Sequence, residues 1–524
     1  MSIISKPSVT FNIVSSPGEI ANAPQRVLLI GQKASSGTAP VNEIVQSLPS
    51  NGVEDTLFGR RSMLSTMVRI FKKYNAISRL DVLPLADPVT APTAATATIT
   101  ITGTPTGAGN IIIAVQSERY HKISVPVTTA STANTIAAAI AAAISANDTI
   151  LVTAEDVSNV VTLTASHTGL DGDQLKMRVV QGIDGVTIAL SAFSGGAGNV
   201  PLPDLDDIIG SFRYQTIVTS TAYEISDIQE YLDAAFNATN AVRDGVLLVH
   251  GTQPSAAGAI GAVASLDSKC VVYLSDESVS SFADQKGGAI VEYNPALATY
   301  FAAIRALRLT PGANIAPYLV GANISNTFGG AYMAAVPYHE TPFADIPVIV
   351  KNRGWSSADQ ETLNNNGVSF FGNNSAVNRV ILGDVVTTYL TDENGVSDNT
   401  FKYLNAVDTA SQIREYFFNN SKYQYAQTVL TTGDVTGVGR QANEATVRSF
   451  IIHLYKNLTG KPYGLCEAGR DAINFFKQNL NVGVVTDSGM IIGFDVSMIV
   501  PIVKQLRVLN GTLRISFSFS SQGA

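Results

Sequence analysis

The residue types with the widest chemical range in this 524-residue chain are five histidines and two cysteines. His121, His167, His250, His339 and His453 lie far apart. They show neither the H-E-x-x-H spacing that puts two imidazoles on one helix face nor a Cys/His cluster, so no metal is expected. Cys466 follows His453 closely enough to suggest a nucleophile beside its base. A thiol that fills core space is the better expectation, because free cysteine packs as a small hydrophobe. The run RVLLIG and the following GQKASSGT place Gly31 and Gly37 around a turn, as a phosphate-binding loop would. The Lys and Ser/Thr pair that reaches phosphate and magnesium does not follow, which leaves a tight strand-to-helix turn. No G-x-S-x-G elbow supplies a hydrolase serine. Arg60, Arg61, Arg69, Lys72, Lys73 and Arg79 form a basic cluster that would suit an acidic partner, although a solvated helix face explains it more simply. Trp355, in NRGWSSAD, is either an interface anchor or a side chain packed under a loop. Neither a catalytic residue nor a cofactor is assigned.

The composition narrows the classes further. Lys and Arg total 34 against 42 Asp and Glu, a net charge of −8, and only 15% of residues are charged where about 25% is usual. No block of Lys and Arg exceeds a pair, which argues against a nucleic-acid partner. No apolar run approaches the roughly 18 residues of a membrane span, so no insertion is expected. The opening MSIISKPSVTFNIVSSPG has no continuous apolar stretch of the kind a signal peptide needs. Two cysteines make no disulfide framework, and a reducing compartment fits them. At roughly 150 residues per domain the chain holds about three or four.

The elements follow from periodicity. Arg26 to Gly31, Leu80 to Leu85, Tyr214 to Ser220, Gly245 to Gly251 and Cys270 to Ser275 are short apolar runs without alternation, the mark of strands covered on both faces. Helical spacing lies between them at Met63, Leu64, Met67, Ile70 and Phe71, at Ile225, Ile228 and Leu232, and at Leu297, Tyr300, Phe301 and Ile304. The fold class is therefore α/β within a multidomain α+β chain. Residues 21–88 and 204–365 form its α/β layer. A β-rich insertion interrupts that layer at 89–203, with ATATITITGTPTGAGNIIIAV read as a hairpin and Ile136, Ile140 and Ile144 striping one helix. Residues 366–510 form a further unit. It opens with strands in NGVSFFGN and RVILGDVV, then has a helix capped by Thr409 and Gln412, a helix after Asn443, and one from about Cys466 to Leu480. Arg470, Asn474 and Lys477 stripe that last helix.

Both ends alternate with period two. Val9, Phe11 and Ile13 share a face in residues 1–20, as do Leu513, Ile515, Phe517 and Phe519 in residues 511–524. Such strands pair within their own domain or add to a neighbour's exposed edge.

GEIANAPQRVLLIGQKASSGTA, DTLFGRRSMLSTMV, ATITITGTPTGAG, NRVILGDVVTTYLT, TFKYLNAVDT and PIVKQLRVLNGTLRISFSFS, taken in order, resemble the contractile tail sheath proteins of bacteriophages, in particular the Mu-like subgroup. The resemblance is weakest from Thr252 to Asn365. It implies a structural subunit of the virion, assembled in the host cytoplasm as stacked hexameric rings around a tail tube. Its partners would be further copies of itself, the tail tube protein, and the baseplate and tail terminator proteins. Residues 366–510 would be the inner unit, with Arg470, Asn474 and Lys477 facing the tube, and the two end segments would be arms making intersubunit contacts. Contraction would drive the tube through the host envelope. The rival expectation is an α/β enzyme acting on a small ligand, with the insertion as its lid.

Overall fold

Between Arg26 and Gln32 the chain is apolar almost throughout, and it forms the central strand β1 (Arg26–Gln32) of the computed structural model, with Val27 to Ile30 fully buried. The structure describes residues 25–49, 52–237, 242–319, 329–343, 346–374, 378–426, 428–431, 433–435, 440–487 and 490–503. After β1 the chain turns through Gly37, where a Cβ would lie 2.6 Å from the Leu57 carbonyl oxygen. It continues through the short helix α1 (Glu54–Phe58) into α2 (Met63–Tyr74). Ser62 starts α2 by accepting the Ser65 N–H on its hydroxyl, and Met63, Leu64, Met67, Ile70 and Phe71 are buried at the expected spacing. Strand β2 (Arg79–Leu85) then pairs parallel with β1 along its length, Arg26 opposite Arg79 and Gln32 opposite Leu85.

The insertion begins beyond Asp87. It contains β3 (Ala94–Gly103), β4 (Gly109–Val115), β5 (Lys122–Val127), α3 (Ala133–Ser145), β6 (Val152–Val157), β7 (Val160–Thr168), β8 (Met177–Gln181) and β9 (Val186–Leu190). The expected hairpin of β3 with β4 does not form. β3 pairs with β7 and β9 in one antiparallel sheet, whereas β4 pairs with β5 and β8 in another. Each is an inner strand with partners on both edges, so the glycine-rich link between them is a crossing from sheet to sheet. Gly103 makes that crossing at φ +90°, where a Cβ would strike the Gly185 carbonyl. Helix α3 starts at a Thr132/Thr135 capping box and buries Ile136, Ile140 and Ile144 against β3, β5, β6 and β7.

The α/β layer then resumes. It comprises α4 (Leu205–Ile209), β10 (Thr216–Val218), α5 (Ile225–Asn237), β11 (Val246–Gln253), α6 (Ala256–Val263), β12 (Val271–Glu277), β13 (Gln285–Lys286), α7 (Asn294–Leu309), α8 (Ser357–Asn365), β14 (Val368–Asn374) and β15 (Arg379–Leu382). The seven-stranded sheet has the order β15-β14-β12-β11-β10-β1-β2, parallel throughout except for the β14–β15 pair. β14 and β15, placed by their sequence in the 366–510 unit, thus complete the edge of the layer before it. The reason is local: Val368 to Phe371 is buried on both faces, like the other strands of this sheet. β13 leaves the layer to pair with β8 of the insertion. α7 is buried over all 16 residues, Arg305 and Arg308 included.

The remaining unit is α9 (Leu404–Tyr425), β16 (Val429–Leu430), β17 (Gln441–Ala442), α10 (Glu444–Thr459), α11 (Arg470–Gln478), β18 (Asn481–Asp487) and β19 (Met490–Ser497). Thr409 does not cap α9. The helix already runs from Leu404, because Leu404 and Val407 are drawn into the first core, and the Thr409 hydroxyl donates to the Asn405 carbonyl inside it. Asn443 caps α10 as expected, reciprocally with Thr446. α11 is shorter than its apolar spacing predicts. Cys466 and Glu467 are instead held extended, against Ile502 and the Pro501 carbonyl. A second core gathers Ile413, Phe417, Ile451, Leu454, Tyr455, Leu458 and Phe476. Among the described residues no helix is long and apolar enough to cross a membrane.

Candidate functional site: joints and assembly surfaces

An open parallel sheet binds ligands beyond the carboxyl ends of its strands where the connections reverse direction, here between β1 and β10. The chain's own residues fill that crevice. Gln32, at the end of β1, donates from Nε2 to Asp87 Oδ1 (2.8 Å) and to the Thr168 carbonyl (2.9 Å). After β10, Ser220 donates to Asp171 of the insertion, and Gln174 donates to Ser220 (2.9 Å) and Thr221 (3.2 Å). His167 Nε2 accepts the Met63 N–H at 3.2 Å, so Nδ1 carries the proton and donates to Asp87 Oδ1 at 2.7 Å. Burial pushes the Asp171 carboxyl up to about 6, against the Ser220 hydrogen bond that lowers it. At this place the insertion therefore acts as a plug. The glycines of the suspected phosphate loop serve packing: a Cβ on Gly31 would lie 2.8 Å from Met63 Sδ, and Lys33 Nζ donates to the Gly37 carbonyl at 2.7 Å.

The candidate nucleophile is sealed. Cys466 is buried, which pushes its thiol up to about 12, while His453 is exposed and its Nε2 lies 3.2 Å from Asn457 Nδ2. The histidines stay apart, His121 beside Thr149, His167 beside Asp87, His250 beside Asp276 and His339 beside Asp384. Trp355 is packed rather than presented, donating from Nε1 to the Ser275 carbonyl at 3.2 Å.

The basic cluster proves to be a joint, which neither sequence reading foresaw. Arg61 donates to the carbonyls of Ser145 (2.9 Å), Asn147 (3.3 Å) and Val152 (3.2 Å), closing the carboxyl end of α3 from outside the insertion. Arg60 pairs with Asp148, and Lys73 sits 4.4 Å from the centre of the Tyr120 ring. Arg69 donates to the Ser65 carbonyl at 3.1 Å, Lys72 to Leu48 at 2.8 Å, and Arg79 lies 3.3 Å from Asp81. Asp148 lies 88 positions from Arg60 in the sequence, and their proximity depends on the insertion folding back.

A second joint is buried. Lys176, just before β8, places Nζ 3.0 Å from Oδ2 and 3.2 Å from Oδ1 of Asp276 in β12. Thr252 donates to Oδ1 at 2.6 Å, the Ile290 N–H to Oδ2 at 3.2 Å, and His250 Nε2 lies 3.4 Å from Oδ1. A third joint ties α9 to the layer through Arg305 with Asp408, Arg213 with Glu415 (2.7 Å) and Arg414 with Asp244 (3.0 Å).

Two surfaces remain open. On α11, Arg470 and Asn474 are exposed, Lys477 is half-buried and Phe475 is 45% exposed, while Phe476 is buried beneath them. The β18–β19 sheet has only two strands, so among the described residues each keeps an unpaired outer edge, and Val484 and Val485 are exposed on β18. Val9, Phe11, Ile13, Leu513, Ile515, Phe517 and Phe519 lie outside the described residues.

No protein-family model matches the chain. Over 153 residues, 29% of this chain and 30% of the relative, it is 34% identical to the Mu-like prophage FluMu tail sheath protein of Haemophilus influenzae. That match therefore spans less than a third of the relative's length. Among solved structures it is similar to the sheath tail protein Lin1278 of Listeria innocua, with 13% identity, 91% of this chain and 95% of that one covered, and a TM-score of 0.42. It is also similar to a chain of the anti-feeding prophage baseplate, with 11% identity, 98% and 100% covered, and a TM-score of 0.45. A third is the contracted anti-feeding prophage helical sheath, with 11% identity, 97% and 99% covered, and a TM-score of 0.39.

Proposed function

We propose that this chain is the subunit of a contractile tail sheath, a structural protein and not an enzyme. It polymerises as stacked hexameric rings around a tail tube and shortens to drive that tube through the host envelope. The observation that carries the reading is the two-stranded β18–β19 sheet, whose open edges face no partner among the described residues, in a chain with an alternating segment at each end. Strands of that pattern are suited to adding to such an edge on a neighbouring copy. The pairing would be made of backbone hydrogen bonds, which hold while the domains between them rotate as bodies. The relative in Haemophilus influenzae, itself a tail sheath protein, supports the same assignment.

Shortening without a nucleotide must run downhill, so the shortened lattice must make better contacts than the extended one. A surface with few charges suits such a lattice, since each buried charge carries a desolvation penalty. The tube, baseplate and terminator proteins are the partners this role requires, with Arg470, Asn474 and Lys477 on the tube side. The test is negative-stain microscopy of the purified chain beside a version lacking Gly511 to Ala524. Striated tubes or rings from the first and folded, unassembled subunits from the second are expected. Normal cylinders from the truncated chain would refute the arm assignment, and uniform small particles from the full chain would refute the sheath itself.

A further inference from the structure

The Lys176–Asp276 pair is set up for more than an ion pair. Both side chains are almost wholly enclosed, at 1% and 2% exposure, and they come from different bodies, the insertion and the α/β layer. Gly288 closes the site: a Cβ there would run into both Asp276 Oδ2 and Lys176 Nζ. The absence of a side chain at Gly288 lets the backbone lie directly on the pair and keep water away. Two donors, the Thr252 hydroxyl and the Ile290 N–H, point at the two carboxylate oxygens. Nearby stands Glu292, also buried, which accepts from the Ser117 hydroxyl at 2.9 Å and is close enough for its charge to act on Lys176.

These are the parts an amide-forming condensation needs: an amine held against a carboxyl, donors on the carboxyl oxygens, a second acid to carry protons, and a dry enclosure. We propose that Lys176 and Asp276 join through an intramolecular isopeptide bond that fastens the insertion to the seven-stranded sheet.

The step balances without any co-reactant. A proton passes from the ammonium to the carboxylate, giving a neutral amine beside a neutral acid. The Nζ lone pair attacks Asp276 Cγ, a C–N bond forms, and the carbonyl electron pair moves onto the oxygen held by the Ile290 N–H. Glu292 takes the second amine proton and returns it to the departing hydroxyl. The C–O bond breaks, the carbonyl re-forms, and one water leaves. Burial lowers the proton affinity of Lys176 and pushes Glu292 up to about 7, where it can both accept and give a proton. Burial also raises the Asp276 carboxyl, but Lys176, His250 and the Thr252 hydroxyl together hold it below its ordinary value, so the first proton transfer is the uphill part of the step. The amide also ends the burial of two opposed charges, which an ion pair at this depth must sustain.

The experiment is an intact-mass measurement on the full chain, denatured after purification, followed by proteolysis. A mass lower than that of the sequence by one water, with a branched peptide joining the segments around residues 176 and 276, is expected. Lys176→Arg and Asp276→Ala should each restore the full mass, and Glu292→Gln should retain it at early times after refolding. A folded wild-type chain at full mass overturns the proposal. So does a loss of water without the branched peptide, since an aspartate elsewhere can cyclise. Rapid water loss in Glu292→Gln would overturn the role given to Glu292.

Discussion

Arg305 of α7 and Asp408 of α9 meet in the interior as a guanidinium–carboxylate pair, each side chain at most 4% exposed, and the Tyr338 hydroxyl donates to the same carboxylate at 2.6 Å. Arg305 also donates to the Gln215 carbonyl at 2.7 Å, beside β10. One cluster thus holds the layer's central helix, the start of the inner strand β10 and the first turns of α9.

Removing one member strands the other. Asp408→Asn should lower the unfolding free energy by about 3 kcal/mol or more, the usual penalty for breaking a buried pair. Arg305→Met combined with Asp408→Leu should lose less than either single change. Urea denaturation of Asp408→Asn, Arg305→Met, Asp408→Leu and the double variant checks this, and equal losses in all four would contradict it.

Stability should depend on pH through two buried groups acting in opposite senses. Asp171 is raised to about 6 by burial, so between its unfolded value near 4 and about 6 the folded state holds the extra proton, and stability falls as pH rises. His121 is lowered to about 4, first by burial and then by Arg69, so the unfolded state holds the extra proton and stability falls as pH drops from about 6.5. Asp171→Asn should therefore match the parent near pH 4 and exceed it at pH 7, by an amount on the order of 2 kcal/mol. Denaturation at the two pH values measures the difference, and a variant weaker at pH 7 would contradict the sign.

Both thiols should be silent in the folded chain. Cys270 and Cys466 are buried and both are shifted upward by burial, Cys466 to about 12. A thiol-reactive dye should label neither under native conditions and both in urea. Rapid native labelling of Cys466 would reopen its pairing with His453.

On α11, where Arg470 is exposed and Lys477 half-buried, Arg470→Glu with Lys477→Glu should cost no more than about 1 kcal/mol of stability and leave the chain folded. The same double variant should assemble poorly around an acidic tube while still forming tube-free polymers. Undiminished assembly on the tube would remove these residues from that surface.

The legible parts of the fold were those governed by period. The five apolar runs became five strands of one sheet, and the spacings around Met63, Ile225 and Leu297 became α2, α5 and α7. What failed was pairing between distant segments. β3 and β4 read as a hairpin because they are neighbours in sequence with glycines between them, yet each found better partners over 40 residues away in β7 and β8. Thr409 read as a cap because its type and offset suit one, but burial of Leu404 and Val407 started α9 earlier. The joints were the least visible. Arg61 carries no local sign that its partners are three carbonyls over 80 residues on. Lys176 and Asp276, 100 positions apart, look like ordinary surface charges until the insertion closes.

Helix α9 serves both cores at once, with Leu404 and Val407 in the first and Ile413 and Phe417 in the second. At 22 residues and 1.5 Å per residue it is about 33 Å long. Its first half is clamped to the layer by the ion pairs of Asp408, Arg414 and Glu415 and its second half is packed in the second core, an arrangement that would work as a crankshaft. A tilt of roughly 10° in the layer would carry the far end by about 6 Å over that length. A small rocking movement where the sheet sits would then emerge, geared up, at α10, α11 and the open hairpin beyond them.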